Sequence, residues 1–137
     1  MNKFKKAIIS AIRATVKQGQ QSVSSDGGEC AYRGCNGLRC TLGHMIDDNH
    51  YTSDLESTAI DNPLVVMAII NSVGIDSLSK KKKELLLKLQ AVHDSIITTG
   101  DFVAVYSERI KDRVESGNLP NYILEGLKNY ELYQKTE

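Results

Sequence analysis

The chain has 137 residues, of which 41% are hydrophobic, 25% charged and 6% aromatic, with ten glycines, two prolines and no tryptophan. Such a composition excludes collagen-like, low-complexity and wholly disordered chains, and the length suffices for one self-supporting core, so a single domain over 1–137 is expected. Seventeen Lys and Arg balance seventeen Asp and Glu, which leaves no net charge to draw the chain to nucleic acid or an acidic membrane; neither is an expected partner.

The longest apolar run, Leu64 to Ile70, is about a third of what a membrane span needs. The basic start, Met1 to Lys6, is followed by Arg13 and polar breaks rather than an apolar block with a cleavage site, so it does not read as a signal peptide. Cys30, Cys35 and Cys40 are odd in number and crowded together, unlike a secreted disulfide framework. The expectation is a soluble, cytoplasmic protein.

Phe4, Ala7, Ile8, Ala11, Ile12 and Thr15 recur at helical spacing, with Asn2 placed to cap the start and Gly19 to stop the end. A polar loop over 20–28 follows. Cys30 to Arg33 and Leu38 to Cys40 read as short extended arms about the turn signal Asn36-Gly37, which predicts a small β-hairpin near residues 29–40. Thr41 to Ile46 suits one or two helical turns, and Ser53 with Glu56 has capping-box spacing for a short helix reaching Ile60. Asn62-Pro63 opens a helix closed by Gly74, apolar almost all round and therefore expected at the centre of the fold. Ser79 starts a long helix carrying Leu85, Leu86, Leu89, Val92, His93 and Ile96 on one face and ending near Gly100. Asp101 caps the next, which runs towards Gly117, and Pro120-Asn121 begins the last. The fold class is mainly α: a compact domain of about five or six helices with one hairpin.

Chemistry concentrates between Cys30 and His44, where cysteines, arginines, glycines and a histidine share fifteen residues. Cys30, Tyr32, Arg33, Gly37, Arg39, Cys40 and Gly43 fit the pattern Cys-x-Tyr-Arg-x-x-x-Gly-x-(Lys/Arg)-Cys-x-x-Gly. In this the chain resembles a family of uncharacterised bacteriophage and bacterial proteins, whose pattern continues through Ile46-Asp47-Asp48, Tyr51 and a later Leu89-Gln90-Ala91-Val92-His93-Asp94 block. The resemblance covers about half the chain and implies a shared site without an assigned reaction. The family's usual residue in place of Cys35 is proline, which argues against Cys35 belonging to that site.

Three chemistries suit these residues. Cys30, Cys35, Cys40 and His44 are a possible structural zinc set, but their spacing lacks the tight Cys-x-x-Cys knuckle, and buried thiols are the simpler reading. Cys40 or Cys30 with His93 as base would make a cysteine enzyme, provided the thiol pKa is lowered and the groups meet. Arg33 and Arg39, projecting together, suit a phosphate or carboxylate; the alternative is that each pairs with a local acid, Glu29, Asp47 or Asp48. The run Lys80 to Lys83 opposes its helix dipole and is read as a solvated helix start partly offset by Glu84, in preference to a nucleic-acid patch, because no aromatic residues interleave with it in sequence.

The leading expectation is a phage-related binding protein that engages a host protein or a small anionic ligand during infection, with no cofactor. Its site is expected to comprise Tyr32, Arg33, Arg39, Cys40, His93 and Asp94. Replacing Arg33 and Arg39 by alanine is expected to abolish binding and spare the fold.

Overall fold

Helix α1, Lys3–Gln18, begins where the Asn2 side chain accepts from the Lys5 amide and ends at Gly19, whose left-handed φ of 75° suits glycine. The helix buries Phe4, Ile8, Ile9, Ala11, Ile12, Thr15 and Val16, the 3.6-residue stripe anticipated from spacing. In a computed structural model of the chain, which describes residues 2–23, 31–34, 37–56, 58, 60–96 and 101–128, α1 contacts α2 (Pro63–Val73), α4 (Phe102–Glu115) and the short 3₁₀ turns Leu42–Met45 and Asn121–Leu124. α3 (Lys80–Asp94) packs on α4 and on the Leu42–Met45 turn. Further 3₁₀ turns lie at Asp48–His50 and Ser53–Leu55. The described residues are mainly helical, and their buried apolar side chains form a cluster running from Phe4 to Leu127. Among them no helix is long and apolar enough to cross a membrane.

The caps read from sequence hold at each long helix. Asn62 accepts from the Leu64 amide, Ser79 from Lys82 and Asp101 from Ala104, each satisfying an otherwise orphaned first-turn donor. α3 stops at Ser95, short of the expected Gly100, which lies outside the described residues.

Two expectations fail. The helix expected at the centre, α2, buries only Val65, Ala68 and Ile69, while Leu64 and Met67 stand 56% and 51% exposed. Apolar composition all round gives a helix no preferred direction, so α1, with its sharp stripe, takes the centre and α2 lies over α1 and the three turns between 42 and 55. The β-hairpin near 29–40 is likewise not supported: the described residues contain no strand, only an isolated bridge residue at Val23. Gly37 does adopt the left-handed conformation of a turn, at φ 76°, and the Gly34 amide donates across it to the Leu38 carbonyl at 2.8 Å, but beyond that one bond the amides of Tyr32, Arg33 and Arg39 donate to side chains from elsewhere and no strand pair extends. Cys30, Cys35 and Asn36 lie outside the described residues.

A chain of buried hydroxyls links the layers. Thr15 Oγ1 donates to the Ala11 carbonyl at 2.8 Å and meets Thr41 Oγ1 at 3.1 Å, which in turn meets the Tyr106 hydroxyl at 2.8 Å. All three residues are fully buried, so α1, the start of the 42–45 turn and α4 are tied by bonds that would be costly to leave unmade. Gly43 fits against this layer because it has no side chain: a Cβ there would lie 2.2 Å from the Tyr32 carbonyl oxygen. Gly43→Ala is therefore expected to cost about 1–3 kcal/mol through overpacking, measured as a fall in the urea midpoint; an unchanged midpoint would show that the two segments are not in contact.

Candidate functional site

The described residues between Ser22 and Asp48 are held in large part by side chains that act as their hydrogen-bonding partners. Gln18, the last residue of α1, accepts from the Arg39 amide and donates to the Arg39 carbonyl, both at 2.9 Å. Ser22 Oγ donates to the Ala31 carbonyl at 2.7 Å. Glu56 takes the amides of Tyr32 and Arg33 on its two carboxylate oxygens, each at 3.0 Å, and accepts the Tyr51 hydroxyl at 2.6 Å. Sequence spacing assigned Glu56 to a capping box, but no side chain caps the Ser53–Leu55 turn; the carboxylate reads a backbone more than twenty residues away, a pairing no local pattern signals.

His93 and Asp94 stand beside this segment on α3. The Ser22 amide donates to His93 Nε2 at 3.2 Å, the ring's Nδ1 lies 2.9 Å from Asp94 Oδ1, and Gln21 donates to the His93 carbonyl. Because Nε2 accepts, the proton is on Nδ1 and is donated to Asp94, so the fully buried imidazole has no lone pair left for a substrate proton. Its ring packs edge-on to Phe102 at 6.0 Å. His93 is thus the seat that fixes the segment on α3.

Cys40 is fully buried, and burial pushes its thiol up to about 12 even though the Gly43 amide, 3.3 Å from Sγ, and Gln90 pull the other way. A nucleophilic thiolate needs the opposite displacement. Tyr32 is buried too, its hydroxyl donating to the Thr58 carbonyl at 2.6 Å. For the zinc set, Cys40 and His44 are the described members; among the described residues no group of three or more His, Cys, Asp or Glu is placed to hold a metal.

The arginines do converge. Arg33 Nη2 lies 3.2 Å and Arg39 Nη2 2.9 Å from the same oxygen of Asp48, Oδ1. The two partners differ in what else they do. Arg33 also donates to the carbonyls of Gly43 (2.7 Å) and Ile46 (2.6 Å) and lies over the Tyr51 ring at 4.8 Å, so it is built into the fold, and burial followed by the nearby Arg39 lowers its affinity for its proton. Among the described residues the Arg39 side chain bonds to Asp48 alone, and Asp48 is 79% exposed. Two guanidinium charges therefore face one carboxylate at the surface. The expectation that alanine at both arginines spares the fold is corrected: Arg33→Ala strands two backbone carbonyls and the Tyr51 ring, an expected loss of about 1–3 kcal/mol, whereas Arg39→Ala spares it. The six residues anticipated for one site separate into a structural set (Tyr32, Arg33, Cys40, His93, Asp94) and one open group, Arg39 with its partner Asp48.

His44 sits behind the arginines with Nε2 buried and unpartnered; burial, then Arg39, Arg33 and His93, push its pKa down from 6.5 to about 4. The unfolded chain thus binds a proton at His44 before the folded one does. Stability therefore falls as pH drops from about 6.5 to about 4, and His44→Gln should flatten that part of the pH–stability curve relative to the parent. Equal slopes in the two proteins would place His44 in solvent.

No known protein-family model, curated protein or solved structure matches the chain.

Proposed function

We propose that the protein works by binding rather than turnover, and that its ligand presents a carboxylate or phosphate to Arg39 and Arg33. The observation that carries this reading is the sharing of one exposed Asp48 oxygen by two guanidinium groups. One carboxylate does not neutralise two cations, and an anion with several acceptor oxygens satisfies the fork of Arg39 together with the single Arg33 Nη2 donor turned to Asp48 better than one shared oxygen does. Asp48 then serves as an internal stand-in, displaced when the ligand arrives, while Arg33, fixed by two carbonyls and a tyrosine ring, provides a preorganised wall. Given the resemblance in residues 30–51 and 89–94, the anionic group is proposed to belong to a host protein, or to a small ligand, met by a phage-encoded protein in the host cytoplasm.

The cysteine-enzyme reading finds no support in a buried thiol whose pKa is raised and an imidazole with both nitrogens engaged.

Titration with inorganic phosphate, followed through the side-chain N–H resonances of the arginines, tests the proposal. Asp48→Asn is expected to tighten binding roughly tenfold by removing the competing charge, on the scale of one charge-assisted hydrogen bond, and Arg39→Gln to abolish it. Weaker phosphate binding in Asp48→Asn, or shifts confined to lysines, would overturn the assignment.

A further inference from the structure

At the other end of α1 the structure gathers lysines that lie far apart in sequence. Lys82 Nζ, in the first turn of α3, lies 5.0 Å from the centre of the Phe4 ring in the first turn of α1. Lys5 Nζ lies 5.1 Å from the Tyr122 ring, and Lys3 Nζ donates to the Gly74 carbonyl at 3.3 Å. Lys82 therefore brings the start of α3 onto the start of α1, and those two first turns carry Lys3, Lys5 and Lys6 and Lys80, Lys81, Lys82 and Lys83: seven of the seventeen basic residues of a chain whose formal charge is zero. Lys3, Lys5, Lys6, Lys80 and Lys81 are exposed, and the other two are partly so.

Neither helix has an acid in its first turn. Both instead place cations against the positive end of their own dipole, which is unfavourable, and then bring the two sets towards each other, which adds like-charge repulsion. The adjoining acids in sequence, Asp76 and Glu84, are too few to offset seven lysines. Folding does not account for an arrangement that folding energetics disfavours twice; an anionic partner does. The balanced total hides this separation.

We propose that this pole binds the phosphate backbone of double-helical nucleic acid without reading its sequence. The lysines are carried on two folded helix ends, and the ammonium groups of Lys5 and Lys82 lie over aromatic rings, so their charges present a fixed pattern suited to a rigid phosphate lattice. Arginine, the usual reader of base edges, is absent from the set, and Phe4, only 4% exposed, and the half-buried Tyr122 are not free to stack on bases. A lipid surface would draw apolar side chains in beside the cations, whereas the apolar group at the centre of this pole is Phe4, already buried. The pole is separate from Arg39: Gln18, which holds Arg39, lies thirteen residues along α1 from Lys5, about 20 Å at 1.5 Å per residue.

Fluorescence anisotropy with a labelled duplex DNA of arbitrary sequence tests this on the full chain. With about four lysines engaged, affinity should fall roughly 10²-fold between about 50 and 200 mM salt. Lys80→Gln with Lys81→Gln should weaken binding and reduce the slope of log K against log salt by about two. Their melting temperature should stay the same or rise, which separates lost binding from lost folding. Lys17→Gln, at the far end of α1, should bind as the parent does. The proposal is overturned by no duplex binding at low salt, by an unchanged slope in the double variant, by an equal loss in Lys17→Gln, or by phosphatidylserine vesicles capturing the protein where duplex at equal phosphate does not.

Discussion

A backbone that runs against a core without helix or strand partners must still satisfy its amides and carbonyls, because a buried unpaired polar group costs as much as a lost hydrogen bond. The described residues between Ser22 and Asp48 meet that constraint largely with side chains, beside a few backbone bonds such as Ala31 to Ser22 and Gly34 to Leu38. Gln18 borders Arg39 as a neighbouring strand would, Glu56 accepts two successive amides, Ser22 and His93 pin the start, and Arg33 collects the carbonyls of Gly43 and Ile46. Close packing of Gly43 on Tyr32 leaves no room for an alternative path.

This constraint decides which groups remain for function. His93 with Asp94 resembles a base with its orienting carboxylate, yet both ring nitrogens are engaged, one by the Ser22 amide and one by Asp94. Cys40, with its raised pKa, belongs to the core. Arg33 supports the turn that carries Asp48. What the fold does not consume is Arg39 and the exposed carboxylate it shares, and at the opposite end of α1 the lysines of two helix starts. The two positive surfaces differ in kind: one is a forked pair around a single oxygen, suited to one anionic group, and the other is a broad set of point charges suited to a repeating one.

The helices were largely legible because their signals are local. Asn2, Asn62, Ser79 and Asp101 each cap as their position suggests, and the stripe from Phe4 to Thr15 marks the buried face of α1. Three features were not legible, each because it depends on long-range geometry. The placement of α2 was lost because a helix that is apolar all round carries no directional information. The hairpin near 29–40 was inferred from a turn signal at Asn36-Gly37, while the partners its flanks use, Gln18 and Glu56, are about twenty residues away on either side. Spacing leaves open whether Arg33 and Arg39 project together or each pairs with a local acid such as Asp48, and the fold does both at once; that His93 serves as a seat depends on where the Ser22 amide falls, which no local pattern signals.

Amide hydrogen exchange read residue by residue tests this account most directly, since it reports whether side chains hold that backbone in place of a strand. The account predicts slow exchange at Ser22, Tyr32, Arg33 and Arg39 in the parent, with Tyr32 and Arg33 losing protection together when Glu56 is replaced by alanine. Exchange at those four amides as fast as in an open loop, or protection of Tyr32 and Arg33 that survives without the Glu56 carboxylate, would contradict it.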